Sequence, residues 1–351
     1  MTARTVSIDG RIIGDGEPPY IIAELSGNHN GDIERAFRLM EAAKAAGSDA
    51  VKIQTYSADT ITIDHDGPGF LIESGLWQGR TLYDLYQQAH TPWAWHEALF
   101  EKGRELGVTV FSSGFDPTAI DFLAELGAPA YKIASFEIVD LALIEKAASK
   151  GKPLIISTGL ATRAEIGEAV AAARLGGCDE IALLHCTSGY PTPPEDSNLS
   201  TLPDLAASFG CVTGLSDHTL GIAVPIGAVA LGAAIIEKHV TLRRADGGPD
   251  AAFSLEPEEL ADLVANCRTA FDAIGRATYD RAPSEESNLV FRRSLYVVEN
   301  IATGDNFTSK NVRSIRPAHG LAPKHLSNIL GRRATRDLAR GTPLAWDAIE
   351  K

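Results

Sequence analysis

Eight short apolar segments recur between Tyr20 and Glu237, separated by stretches with apolar residues at helical spacing, and this alternation limits the fold more than any other feature. The strand-like segments are Tyr20–Leu25, Ala50–Thr55, Val108–Ser112, Ala130–Ile133, Pro153–Ser157, Glu180–His185, Cys211–Leu215 and Ala234–Glu237. Helical spacing marks Asp32–Ala46, Trp93–Leu106, Thr118–Leu126, Leu141–Ser149, Arg163–Leu175, Ile222–Ala233 and Pro257–Ile274. Near-continuous apolar strands are those of a parallel sheet covered on both faces, and eight β–α alternations predict an α/β fold closed as a (β/α)8 TIM barrel. An open doubly wound sheet would place a GxGxxG turn after its first strand, where this chain has Glu24-Leu25-Ser26-Gly27-Asn28-His29-Asn30-Gly31.

Three parts lie outside the alternation. Thr5–Ile8 and Arg11–Ile13 flank Asp9-Gly10, a tight-turn dipeptide, and predict an N-terminal hairpin that plugs the barrel floor. Residues Tyr56 to Pro92 form a loop too long for a simple connection; with Trp77, Tyr83 and Tyr86 it reads as a lid or specificity element over the mouth. After Ile274 the pattern breaks, so the expected division is a barrel over 1–275, a linker over 276–289 and a small β-rich domain over 290–351. About 60 residues bury only a marginal core, so that module is expected to dock on something.

The formal charge of −14 and pI near 5.1 argue against nucleic acid or an anionic membrane as partner. An acidic protein that takes an anionic ligand must gather positive charge locally. Cys178, Cys186, Cys211 and Cys267 form no CxxC pair, which fits reduced thiols. With no apolar leader and no run near the roughly 18 residues of a membrane span, the expected location is the cytoplasm.

Active sites of such barrels lie at the carboxyl ends of the strands. Here those ends carry Glu24, Lys52 and Gln54, Ser112 and Ser113, Lys132 and Ser135, Ser157, His185 and Thr187, Ser216, Asp217 and His218, then Glu237 and His239. Lys52 and Lys132 sit inside apolar strands, where an ammonium is costly unless it meets an anion. With Ser135 and Ser157 they suggest a phosphate or carboxylate cradle; a buried salt bridge to Glu24, or a Schiff-base lysine, are the alternatives. His218 and His239 follow adjacent strands and could share a divalent metal, or hydrogen-bond as core histidines. Glu24 reads as a general acid or base or as the counter-ion of Lys52. Asp250, in Gly247-Gly248-Pro249-Asp250, reads as a turn residue or a neighbour of the metal.

The same residues carry a family resemblance. Ile22-Ala23-Glu24, Asn28-His29-Asn30-Gly31, Val51-Lys52-Ile53-Gln54-Thr55, Tyr131-Lys132-Ile133-Ala134-Ser135, Ser157-Thr158-Gly159, His185-Cys186-Thr187, Tyr190-Pro191-Thr192, Gly214-Leu215-Ser216-Asp217-His218-Thr219 and Glu237-Lys238-His239 resemble the sialic acid synthase family. The tail, with Arg316-Pro317, Gly320-Leu321 and Gly331-Arg332, is similar to the SAF (antifreeze-like, β-clip) domain of that family. Gly75-Leu76-Trp77, Leu82-Tyr83-Asp84-Leu85-Tyr86, Phe253-Ser254-Leu255 and Arg293-Ser294-Leu295-Tyr296 are most similar to the branch that takes a diacetamido hexose. Ser188 stands where sialic acid synthases often have asparagine, which speaks against a mannosamine-type substrate.

The resemblance implies condensation of phosphoenolpyruvate with an open-chain diacetamido sugar in a domain-swapped homodimer. It implies Mn²⁺, with Mg²⁺ or Co²⁺ as substitutes, on His218 and His239 to polarise the sugar aldehyde. Lys52, Lys132, Ser135 and Ser157 would hold phosphoenolpyruvate, with Gln54, Tyr190 and Ser216 lining the site. Glu24 and Asp250 would manage protons, and Arg316 would reach the sugar from a second subunit. A metal-dependent sugar-phosphate aldolase or hydrolase is the other enzymatic reading; a binding protein working through its tail would leave both lysines unexplained.

Overall fold

Thr5–Ile8 (β1) and Arg11–Gly14 (β2) pair antiparallel around Asp9 and Gly10, which hold the positive φ values of 51° and 80° that a two-residue hairpin turn demands. Eight parallel strands follow in the computed structural model, which describes residues 4–351: β3 (Tyr20–Glu24), β4 (Ala50–Thr55), β5 (Thr109–Gly114), β6 (Tyr131–Ile133), β7 (Leu154–Ser157), β8 (Ile181–Cys186), β9 (Val212–Asp217) and β10 (Ile235–His239). They close into a barrel with β10 beside β3, at the positions the apolar runs predict to within two residues. Helices cross between them, started by local chemistry: Asp32 accepts from the Glu34 N–H ahead of Ile33–Ala45, Asp116 accepts from two amides ahead of Pro117–Glu125, and Thr162 forms a capping box with Glu165 ahead of Arg163–Leu175.

Because side chains alternate across a strand, each barrel strand sends every second residue inward. The lower inward layers are apolar: Tyr20, Ile22, Ala50, Phe111, Ala130, Ile155, Ala182, Leu184, Val212 and Ile235 form one buried cluster with Val6, Ile8 and Ile13 of the hairpin. The hairpin is thus the floor plug expected from its sequence. Each fully buried Ile or Leu of that floor contributes ~1.5–3 kcal/mol. Two or four residues further along, the same rows turn polar at Glu24, Lys52, Gln54, Ser113, Lys132, Ser157, Cys186, Ser216, Glu237 and His239. The outward rows bury against the helices in a second, larger core.

The chain divides into two units, Met1–Gly275 and Arg276–Lys351. In the second, β11 (Ser294–Val297) and β12 (Val312–Ile315) pair antiparallel over a core of Leu295, Val297, Ile301, Phe307, Val312, Leu338 and Leu344. Among the described residues no helix is long and apolar enough to cross a membrane.

Candidate active site

Lys52 and Lys132 meet carboxylates at the barrel's carboxyl end. The Lys52 ammonium lies 2.8 Å from Glu24 Oε2 and 3.5 Å from Glu237 Oε1, and donates to Ser113 Oγ at 3.1 Å. Lys132 lies 3.9 Å from the same Glu237 oxygen and donates to Ser157 Oγ at 2.6 Å. Ser216 Oγ donates to Glu237 Oε1 at 3.2 Å, and Gln54 Nε2 donates to Glu24 Oε1 at 2.8 Å. Register accounts for this, since Glu24 pairs across from Lys52, Ser113 from Lys132, and Ser216 from Glu237.

All four charged groups are fully enclosed, and their proton affinities follow from the surroundings. Burial works against the Lys52 ammonium, yet Glu237 and Glu24 hold its pKa above the ordinary range. Lys132 has the weaker counter-charge, so burial wins and lowers it. Burial likewise opposes the Glu237 carboxylate, but the two lysines hold its pKa down. Glu24 is pushed up by burial to about 7, against the pull of Lys52. Both lysines therefore have carboxylate partners, the salt-bridge reading; of the serines expected beside them, Ser157 meets Lys132, whereas Lys52 meets Ser113 and Ser135 meets the Gly159 amide.

Across the mouth, the rings of His218 and His239 stand with centroids 5.3 Å apart. His218 Nδ1 lies 3.1 Å from the Thr187 carbonyl, which fixes its proton there and leaves Nε2 as the lone-pair nitrogen. Burial lowers the His218 pKa, but the Cys186 thiol and that carbonyl outweigh it and raise it. His239 Nδ1 is buried without a hydrogen-bond partner, 3.7 Å from Asp250 Oδ2, and burial with the surrounding cations drives its pKa far down. A buried, neutral, unpartnered imidazole nitrogen is costly in a finished core and natural in a metal ligand. Two imidazoles with a carboxylate behind fit a divalent first-row ion; among the described residues no group of three or more His, Cys, Asp or Glu forms a fuller cage. Ser26 donates to Asp250 Oδ2, so Asp250 is held by more than its turn.

Ser135 Oγ accepts from the Gly159 amide at 3.2 Å, beside the unpartnered buried hydroxyl of Ser188. The Tyr190 ring lies 4.4 Å from that of His218 and 5.5 Å from Trp77, which brings the long segment onto the site. That segment has structure of its own, with helices at Ala58–Ile61 and Leu82–Ala89. Arg316 lies in the second unit, where it lines a cavity of about 540 Å³ with Asn288, Phe291, Arg292, Arg293 and Pro323.

Three strand-end residues face outward. Ser112 bonds Thr55 and the Ile53 carbonyl, His185 lies 2.6 Å from the Ser197 carbonyl, and Asp217 pairs with buried Lys238. Two groups that sequence reasoning left without a role stand out. Glu237 joins both lysines, and strict period-two counting from Ile235 would have found it. Glu137, on the turn after β6, has a buried oxygen with no partner and is pushed up by burial to about 7; no spacing rule marks it.

Comparison with known proteins supplies the remaining findings. The model of the NeuB family matches residues 39–279, and that of the SAF domain residues 292–350. A pseudaminic acid synthase from Helicobacter pylori is 43% identical, covering 95% of this chain and 99% of its own. An N,N'-diacetyllegionaminic acid synthase from Legionella pneumophila is 38% identical over 94% of each chain. Among solved structures, the N-acetylneuraminic acid synthetase of Leptospira borgpetersenii superposes with a TM-score of 0.73 at 32% identity, covering 82% of this chain and 95% of that one.

Proposed function

We propose that this chain, which belongs to the NeuB family, is a pseudaminic acid synthase that condenses phosphoenolpyruvate with the open-chain form of 2,4-diacetamido-2,4,6-trideoxy-L-altrose and water, giving pseudaminate and phosphate. The observation that carries the reading is graded likeness along the whole chain. Three pseudaminic acid synthases match at 42–43%, against 38% for the Legionella legionaminic acid synthase and 30% for an N-acetylneuraminate-9-phosphate synthase. The barrel mouth supports the chemistry, with two buried ammonium groups on one side and two imidazoles on the other.

In this reading Lys52 and Lys132, with Ser135 and Ser157, bind the carboxylate and phosphate of phosphoenolpyruvate, and the enclosed site strengthens those contacts by excluding water. Phosphoenolpyruvate C3 is thereby held toward the sugar aldehyde. Gln54 and Ser216 keep the Glu24 and Glu237 carboxylates oriented, and Tyr190 lines the sugar side. A divalent cation on His218 and His239, Mn²⁺ by preference and Mg²⁺ or Co²⁺ as substitutes, supplies Lewis acidity toward the aldehyde oxygen. Glu24, with a pKa near neutrality, and Asp250, whose carboxyl burial raises, hold or deliver the protons that the new hydroxyl and the attacking water exchange.

Residues 276–351 carry 13 Lys and Arg against 8 Asp and Glu, a charge of +5, which leaves −19 of the total −14 on residues 1–275. That polarity supports a homodimer in which one copy's basic tail serves its partner's acidic barrel through Arg316. An Arg316→Ala chain mixed with a His218→Ala chain then recovers activity through hybrid dimers. Four unbonded, buried cysteines support a cytoplasmic location.

The deciding assay incubates the protein with Mn²⁺, phosphoenolpyruvate and, in turn, the diacetamido-altrose, a diacetamido-mannose and N-acetylmannosamine, and follows phosphate release. Release is expected with the diacetamido-altrose above the others. No release with any sugar overturns the condensation, and release with N-acetylmannosamine alone overturns only the pseudaminate assignment.

A further inference from the structure

Residues 70–82 of the long segment fold as a glycine-punctuated hairpin. Leu82 N donates to Phe70 O at 2.9 Å, Ile72 N to Arg80 O at 2.9 Å, and Gly79 N to Ile72 O at 2.8 Å, while Gly75 and Gly79 take φ values of 84° and 85° at the tip. The tip is exposed at Leu76 but not at Trp77 beside it, which turns inward. Trp77 Nε1 donates to the Pro249 carbonyl at 2.8 Å, the one hydrogen bond among the described residues that ties residues 67–82 to anything outside 56–92. Its ring meets Tyr190, whose ring in turn lies 5.5 Å from Phe253. Pro249 precedes Asp250, and a Cβ on Gly27 would come within 3.0 Å of the Pro249 ring, so the point of attachment is itself tightly held.

We propose that Trp77 is a specificity-determining residue of the acceptor site: latched over the mouth by its indole N–H, it forms with Tyr190, backed by buried Phe253, an aromatic wall against the methyl groups of the sugar, at C6 and at the ends of the acetyl groups. This rests on the acceptor assigned above. A wall of ring faces suits a deoxygenated, N-acylated sugar, because methyl groups gain burial there. A C6 hydroxyl at the same wall would leave water without a replacement hydrogen bond. The indole is placed to read this difference without touching the lysine cradle. The role is therefore separable from binding of phosphoenolpyruvate.

The test compares the parent with Trp77→Ala and Trp77→Phe, measuring KM for phosphoenolpyruvate, KM for the diacetamido-altrose, and the preference for that sugar over N-acetylmannosamine. Trp77→Ala is expected to raise the sugar KM about 10- to 100-fold and narrow the preference, with the phosphoenolpyruvate KM changed less than about twofold. Trp77→Phe keeps a ring but loses the latch, so it should fall between, and an unchanged melting temperature in both shows that the barrel is intact. A sugar KM that stays at the parent value, or a parallel rise in both KM values, overturns the role of Trp77 and leaves the acceptor standing. A parent that turns over only N-acetylmannosamine overturns the acceptor and the proposal together.

Discussion

The two sides of the barrel mouth solve opposite problems. On one, Lys52, Lys132, Glu24 and Glu237 place two positive and two negative charges in full burial, each matched within the protein. On the other, His218 and His239 approach each other with no charge between them and one buried nitrogen unsatisfied. The first side has its charges matched without a ligand, although Glu237 Oε2 is buried with no hydrogen-bond partner, and must rearrange its pairs to take one; the second has an imidazole nitrogen with neither hydrogen bond nor ion until one arrives. Stability and function are therefore coupled differently on the two sides. Removing a lysine should damage the fold and the reaction alike, whereas removing a histidine should damage the reaction alone.

The largest effect expected is at Lys52. Lys52→Met leaves Glu24 and Glu237 facing each other without their shared cation, at a cost of about 3–5 kcal/mol in denaturant-measured stability, with turnover down about a thousandfold. A Lys52→Met variant as stable as the parent would break the contrast. Lys132→Met should behave alike, and adding Glu237→Gln should return much of the lost stability without returning activity, because the surviving charge no longer lacks a partner. His239→Gln should shift stability by only about 1 kcal/mol while abolishing activity and the calorimetric signal of Mn²⁺ binding at pH 7.5. Unchanged Mn²⁺ binding would sink the assignment of that side to a metal. A subtler probe is Gly159→Ala: the new methyl would press on the Ser188 hydroxyl and come within 2.7 Å of Ser135 Oγ, so the KM for phosphoenolpyruvate should rise about tenfold while that for sugar holds.

The fold was legible because a parallel barrel needs strands buried on both faces, and runs such as Ile21-Ile22-Ala23 and Leu154-Ile155-Ile156 admit few other homes. Within the site, legibility stopped where period two was not enforced. Glu237 lies on the inward row of Ile235 and His239, while Lys238, with a similar sequence profile, turns outward to Asp217. Beyond the strand ends, Ser135, Tyr190 and Asp250 were legible through motif resemblance and the 56–92 loop through its length, but the internal arrangement there was not. Glu137, Ser26 and the Phe70–Leu82 hairpin take their places from tertiary packing, and a polar residue after a strand looks the same in sequence whether it faces water or substrate. The helix Thr201–Phe209 went uncounted although Leu202, Leu205, Ala206 and Phe209 fall at helical spacing, because it is short and Pro203 in its first turn reads as a break.

The effect on turnover is smallest for the test of whether a third carboxyl belongs with the lysine side. Glu137 is raised from the ordinary carboxylate range to about 7, chiefly by burial, with Lys132 pulling weakly the other way. The folded protein thus keeps a proton on Glu137 that the unfolded chain has released, over the window from pH 4.5 to about 7. Across that window the unfolded state binds fewer protons, so stability falls as pH rises and levels off above pH 7. Glu137→Gln removes the penalty: variant and parent should unfold at nearly the same denaturant concentration near pH 4.5, and the variant should lead by up to about 3 kcal/mol at pH 8. If Glu137 also carries a proton in turnover, the bend near pH 7 that Glu24 gives the kcat profile is steeper in the parent than in the variant. A stability offset that is equal at both pH values would mean that Glu137 is charged from the start and belongs to neither side of the mouth.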